Sequence, residues 1–260
     1  MIDPLMFIAL LPAVVLVVYI CRKDRTDKEP PALIAKLLGY GVLSCLPAIV
    51  VELILSAIIE RLNVRSVYLG YFLEAFVVAG LTEETCKFLF LRTTWRNPAF
   101  DYQFDAIVYA VMVALGFAAF ENVKYVYSYG FATGIVRAVT AVPGHAIFGV
   151  FMGYFYGYAK LSDYWGRGED RKAYLALSVV VPVLMHGCYD FLAFAQESDS
   201  RFTLLFYAYL IALYVFGIRR VNRSARDDRR VTRETVFDYF RRMQYPMPPQ
   251  YRDRNDDFWR

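Results

Sequence analysis

The chain has 260 residues, of which 58% are hydrophobic and 17% aromatic, with a mean hydropathy of +0.34. Several apolar runs reach about 18 residues or more, the length of a membrane span, which excludes an ordinary soluble domain. From Arg219 onward twelve Arg face seven acidic residues, so the net charge of +4 belongs to the C-terminal end, and nucleic acid is excluded as the main partner.

The opening residues Met1-Ile2-Asp3-Pro4 have no basic n-region and no A-x-A cleavage site follows, so no secretory signal is expected. A first apolar run covers residues 5–21 and meets Arg22, Lys23, Arg25 and Lys28. Positive charge after the run, not before it, puts the N-terminus outside and this loop inside. The second span, 31–59, is long enough to tilt, with a kink expected at Pro47. Its Glu52 reads as a bundle-facing or interfacial carboxylate, and Glu60-Arg61-Leu62-Asn63 as a short outer loop. The third span, 67–92, ends inside at Arg92, Trp95 and Arg96, before the stop signal Asn97-Pro98. A fourth covers 104–129 and a fifth 131–159, followed by the inner-loop charges Lys160, Arg167, Arg171 and Lys172. The sixth, 173–195, meets the acidic outer loop Gln196-Glu197-Ser198-Asp199, and the seventh, 202–218, returns inside at Arg219 and Arg220.

The expected fold is therefore an all-α polytopic transmembrane helix bundle of about seven spans, N-terminus outside and C-terminus cytoplasmic. Residues 1–218 form the membrane domain. Residues 219–260 form an Arg-rich cytoplasmic tail, expected to be disordered or to lie along an anionic lipid surface. No internal repeat and no second globular domain is evident. Cys21, Cys45, Cys86 and Cys188 show no C-x-x-C spacing and read as small core residues.

The chemistry lies inside the spans. The third holds Glu83, Glu84 and Lys87, at spacings of four and three residues that share one helical face. Each such charge costs at least ~2.5 kcal/mol at mid-membrane, so it is rarely kept without a polar interior or a task. The fourth span carries Glu121, next to Asn122. The protein has only two histidines, and both fall in apolar segments. His145 opens an i, i+4 ridge with Gly149, Gly153 and Gly157, which invites close helix packing and aims the imidazole inward. His186 and Asp190 are four apart, so the carboxylate can orient the imidazole, or both can ligate a metal. The plainer reading of either histidine is a structural hydrogen bond across helices. Lys87 reads as the counter-charge of the Glu pair. Helical rise puts Glu84 about 17 Å from Trp95 and Glu121 about 18 Å from Tyr109, comparable depths if those aromatics mark the interface.

Amide hydrolysis needs an activated water, a base for its proton and a cation or donor for the oxyanion. Glu83 or Glu84 suits the base. His145 and His186, with Glu121 or Asp190, suit either Zn²⁺ ligation with a position open for water or oxyanion stabilisation. Neither H-E-x-x-H nor G-x-S-x-G occurs, so the soluble zincin and serine patterns are absent. Intramembrane Glu, His and Asp also build proton- or metal-coupled transporters, though these commonly show paired repeats, which this chain lacks. A silent scaffold binding single-span partners through glycine-rich faces is a third reading.

Glu83-Glu84-x-x-Lys87, Gly116-Phe117-Ala118-x-x-Glu121-Asn122, His145 in its glycine-rich helix and His186-Gly187-x-Tyr189-Asp190-Phe191 together resemble the PrsW family of intramembrane proteases, itself distantly similar to the type II CAAX prenyl proteases. The resemblance covers about 71–194. It implies a multi-pass protease of the bacterial cell membrane that makes the first, extracytoplasmic-side cut in a single-span anti-sigma factor. By motif it implies Glu83, Glu84, Glu121, His145, His186 and Asp190 as the functional set, with Lys87 and Asn122 in support. The wider superfamily usually has His where this chain has Glu121, so both a metal-dependent and a glutamate-based mechanism stay open. The first span and the tail lie outside the resemblance.

Overall fold

The structure, a computed structural model, describes residues 3–231. The described chain is helical apart from short loops and one isolated antiparallel bridge, Tyr102 with Arg230. Helix α1 (Pro4–Lys23) starts where the Asp3 side chain accepts from the Leu5 N–H and Pro4 takes the first helical position. Helix α2 (Pro31–Arg61) runs unbroken past Pro47 for 31 residues. That is roughly 46 Å, well beyond a bilayer core of about 30 Å, so it must tilt or project.

The next run is continuous but changes winding. It comprises α3 (Val67–Phe72), capped by the Ser66 hydroxyl, a π-helical stretch (Leu73–Leu81), α4 (Thr82–Leu91) and one 3₁₀ turn (Arg92–Thr94). Helix α5 (Asp105–Tyr129) is the hub, buried along most of its length against α1, α2 and α7. After Gly130 come α6 (Phe131–Val139) and α7 (Ala141–Tyr164), then α8 (Gly168–Ala195) and α9 (Arg201–Arg226). Among the described residues six helices are long and apolar enough to cross a membrane, counting α6 with α7 as one; the composite 67–94 run is additional. Their lipid-facing sides carry exposed Leu, Val, Ile and Phe, as a bilayer solvent requires.

Two of the expected spans carry detail beyond their apolar length. The fifth, within the candidate crossing Phe131–Tyr164, is built of two helices: the backbone breaks at Thr140 (φ −122°, ψ −73°), and α6 packs on α1 and α5. The helix of the seventh also runs on past 218. α9 continues to Arg226 because Gly217 and Val221 remain packed in the bundle while Arg219, Arg223 and Arg226 are exposed. The chain then crosses the loop before α5. The Gln103 N–H donates to the Arg229 carbonyl (2.8 Å), the Val231 N–H to the Asp101 carbonyl (2.6 Å), and Asp228 accepts from the Phe104 N–H (2.9 Å). Most of the expected tail, 232–260, lies outside the described residues.

The glycine ridge of α7 packs on α5 as its spacing implies. A Cβ on Gly153 would stand 2.4 Å from the Ala106 carbonyl oxygen, a backbone atom that cannot give way. Gly153→Leu is therefore expected to destabilise by at least ~1–3 kcal/mol, the range for forced overpacking. Gly39→Leu, where nothing lies within 4 Å, should be near neutral. Equal melting temperatures for the two variants would contradict the α5–α7 contact.

A second stability prediction comes from the α1–α2 loop. Glu29 accepts a hydrogen bond from the Tyr109 hydroxyl (2.8 Å) beside the buried Asp24. Burial pushes the Glu29 carboxyl up to about 7 against that hydrogen bond, and Asp24 adds to the rise. A carboxyl raised on folding stabilises the fold fully below its unfolded value near 4.5, and that contribution is lost as pH rises through about 7. Glu29→Gln should flatten the fall in melting temperature across this window. A wild-type melting temperature that does not fall there would contradict the assignment.

Candidate active site

Four helices deliver the site. The π-helical stretch gives way to α-helix at Thr82, one residue before Glu83. Wide winding of this kind is usually a single turn and is frequent at functional sites; here it extends over nine residues. It packs on α8, where Gly187 lies against the Phe76 ring and leaves no room for a Cβ. This brings the face of α4 carrying Glu83, Glu84 and Lys87 against His186 of α8, while the α5–α7 contact sets His145 and Glu121 opposite.

At the centre lies Lys87 Nζ, 3.1 Å from Glu83 Oε2, 2.8 Å from Glu84 Oε1 and 3.1 Å from His145 Nδ1, and 4.0 Å over the Phe117 ring. An ammonium only donates, so His145 Nδ1 accepts and its Nε2–H donates to Glu121 Oε2 (3.0 Å). His186 lies between two carboxylates, Nδ1 2.9 Å from Glu84 Oε1 and Nε2 3.2 Å from Asp190 Oδ2. Either both its nitrogens donate, or one carboxyl holds the proton. The two imidazoles meet edge-on at 5.1 Å, and Phe148 stacks on His186 at 5.0 Å. Glu84 is fully buried and Lys87, His145 and His186 nearly so, whereas Glu121 and Asp190 keep 20% and 17% of their side chains exposed. The exposed rim is therefore on the Glu121–Asp190 side.

The six candidate residues form one connected cluster, in two layers. Glu83, Glu84, His145 and His186 each offer a ligand atom within 4.8 Å of the others. Glu121 and Asp190 stand behind the imidazoles, on the nitrogens turned away from Lys87, where a carboxylate fixes ring orientation. Two nitrogens and two carboxylate oxygens are a donor set that zinc takes. The surrounding carboxylates outnumber Lys87, Arg137 and His186, and Glu84 Oε2 is a buried acceptor with no partner. The residues fit a divalent cation, and Lys87 Nζ already stands among the same donors.

Asn122 donates from Nδ2 to the Ala9 carbonyl (2.8 Å), tying α5 to α1. Its Oδ1 accepts from Arg137 Nε (3.0 Å), and Arg137 also donates to Glu121 Oε2 (2.9 Å) and lies over the Tyr125 ring. Arg137 is a site residue that the motifs do not single out. The available signal was a lone arginine inside the apolar run 131–144.

Membrane-spanning helices around a buried Glu–Glu–His–His centre suit an intramembrane hydrolase. The profile of the PrsW family intramembrane metalloproteases matches residues 29–218. The chain is 33% identical over 214 residues to Protease PrsW of Bacillus subtilis (strain 168), covering 82% of this chain and 92% of that protein. It is 35% identical to the Oceanobacillus iheyensis protein of the same name, with the same shares covered, and 29% identical over 232 residues to that of Clostridioides difficile (strain 630), covering 87% of this chain and 94% of that one. No solved structure matches. The chain belongs to the PrsW family. It is an intramembrane protease, a multi-pass protein of the bacterial cell membrane.

Proposed function

We propose that this protease cuts a single-span anti-sigma factor on the extracytoplasmic side, with Glu84 as general base. The observation that carries the base assignment is Glu84 Oε2: its sister oxygen is held by Lys87 and His186, while Oε2 is buried and unpartnered. A fixed carboxylate with one free oxygen is placed to accept a proton from a water molecule. Glu83, held by Lys87 through one oxygen, positions that ammonium and is the second candidate for the proton. His145 and His186, braced by Glu121 and Asp190, are placed to hold a metal or to donate to the oxyanion. Zn²⁺ held by His145, His186 and Glu83 would compete with Lys87 for these donors, would leave Glu84 as the base, and would supply Lewis-acid polarisation and a more acidic water.

The membrane depth supports the extracytoplasmic reading. Glu121 lies about 24 Å from the start of α5 at Asp105 but only about 12 Å from its end at Tyr129. Glu84 lies about 17 Å from Trp95 at the inner end of its run and about 26 Å from Val67 at the outer end, so the outer placement rests on Glu121. With seven spans and the N-terminus outside, the arrangement the Lys and Arg loops favour, the end at Tyr129 faces the exterior.

The test is a proteoliposome assay with two tagged single-span substrates, an anti-sigma factor of the host and an unrelated membrane protein. Selective cleavage of the anti-sigma factor near its outer boundary is expected. Cleavage of the unrelated protein alone would remove the substrate assignment and leave the protease intact.

Arg137 positions Glu121 and, through it, His145. Arg137→Gln is expected to lower kcat by about tenfold or more with KM little changed, the scale for removing an outer partner of a site histidine. Arg137→Lys should recover part of it, since the charge stays and the forked donor geometry is lost. Equal kcat in wild type and Arg137→Gln would contradict this role.

A further inference from the structure

Away from the protease centre, two cavities follow one another along α7. The first is apolar, about 160 Å³, between α1, α7 and α9, lined among others by Leu16, Ile20, Ile147, Val150, Gly217 and Val221. The second is polar, about 240 Å³, between the start of α5, α7 and the end of α9, lined among others by Gln103, Tyr154, Tyr158, Arg220, Arg223 and Arg229. Val150 and Tyr154 are one helical turn apart on α7, and Val221 follows Arg220 on α9, so the cavities are neighbours along these two helices.

We infer that this pair of cavities binds one anionic phospholipid, its phosphate among Arg220, Arg223 and Arg229 and an acyl chain along the α1–α7–α9 groove. The charge pattern is that of a lipid on end: an apolar slot beside a polar cavity lined by Arg220, Arg223 and Arg229, with Asp227 the one acidic residue of its lining. Its level in the bilayer agrees. Tyr158 is two residues from Lys160, whose Nζ donates to the Trp95 carbonyl (2.5 Å), and Tyr154, Tyr158 and Tyr174 form a chain of ring contacts. Tyr, Trp and Lys gather at headgroup depth. Basic pockets between helices on the positively charged side take anionic headgroups.

The arginines are arranged to receive it. Arg220 lies 4.0 Å over the Tyr154 ring, half-buried and with its guanidinium held in place. Arg223 is 70% exposed and holds Asp227 only loosely, at 3.6 Å; Asp227 also lines the cavity and is shared with Arg226 at 3.5 Å. A phosphate competes with that weak exposed pair for Arg223, and a bidentate phosphate contact is the stronger of the two. Arg229 comes from the segment whose carbonyl accepts from Gln103 and whose neighbour Asp228 accepts from Phe104. A bound lipid would therefore join α9, the segment after it and the start of α5, the helix that carries Glu121. The inference is independent of the catalytic assignment.

The test is native mass spectrometry of the full-length protein in detergent with an equimolar mixture of phosphatidylglycerol and phosphatidylcholine of identical acyl chains. Wild type is expected to retain phosphatidylglycerol selectively. Arg220→Gln/Arg223→Gln should reduce that retention by about tenfold, the scale of losing one or two basic contacts to an anionic lipid. Val150→Trp, which fills the apolar slot, should reduce it without touching an arginine. Arg220→Lys/Arg223→Lys should keep most of it, which separates loss of charge from loss of fold. Equal retention of the two lipids by wild type, a measurement that needs no variant, would overturn the proposal. So would unchanged retention in the double Gln variant. Displacement of the lipid by millimolar inorganic phosphate, with no effect of Val150→Trp, would overturn it in favour of a free-phosphate site.

Discussion

Glu84→Gln is expected to lower cleavage by at least ~10²-fold, the low end for a positioned acid or base, while the bundle stays folded. The change is nearly isosteric. Gln keeps an oxygen that can accept from Lys87 or His186 in the place of Oε1, but it puts an NH₂ where Oε2 now lies unpartnered. An amide there cannot take a proton from water. His186→Ala should cost as much, since it removes the ring held between Glu84 and Asp190. The comparison with Glu83→Gln decides between the two carboxylates: a smaller loss for Glu83→Gln is expected. Near-normal turnover by purified Glu84→Gln, with the melting temperature of wild type, would remove Glu84 from the base role.

Lys87→Met is the second variant with a large expected effect, and stability shows it first. Lys87 is 1% exposed and is the only ammonium in contact with Glu83 and Glu84 among the described residues. Breaking a buried ion pair by removing one partner costs about 3–5 kcal/mol, because the other charge is left without compensation. For a chain of this size that is a fall in melting temperature on the order of 10 °C. Activity should survive in part, because Lys87 is the counter-charge and not the base, and its pH profile should be displaced. A melting temperature within a degree or so of wild type would mean that a second cation already neutralises the pair. An unchanged pH profile would mean that Lys87 does not set the charge state of Glu83 and Glu84.

The broad architecture was legible because a membrane makes the reading simple: apolar length gives spans, and charges inside spans are rare enough to mark a centre. That ground picks out Glu83, Glu84, Lys87, Glu121, His145, His186 and Asp190 but also Glu52, Glu74, Lys124 and Arg137, and the motif resemblance narrows the set; the α7 glycine ridge correctly implied a close helix contact. What was not legible depends on partners distant in sequence. The break at Thr140 lies within one continuous apolar run and follows from α6 packing on α1 and α5. The π-helical stretch has no local signature; it is seated by Phe76 against Gly187, more than a hundred residues on. Spacing put His186 and Asp190 on one face but could not tell which ring nitrogen meets which carboxylate. The structure puts Glu121 and Asp190 behind the imidazoles, leaving Nδ1 of His186 on Glu84 and Nδ1 of His145 on Lys87. Charge likewise marks where a span leaves the membrane, not where its helix ends, which is why α9 outlasts Arg219 and Arg220.

The most direct test of the central claim, a centre in which His145 and His186 hold a metal and Glu84 acts as base, is elemental analysis of the detergent-purified protein beside its His145→Ala/His186→Ala variant. The predicted result is about one zinc per chain in wild type, as for a site with one such donor set, and none in the variant. No metal in either, with wild-type cleavage surviving a strong chelator, would contradict it and leave the two histidines as oxyanion donors in a glutamate mechanism.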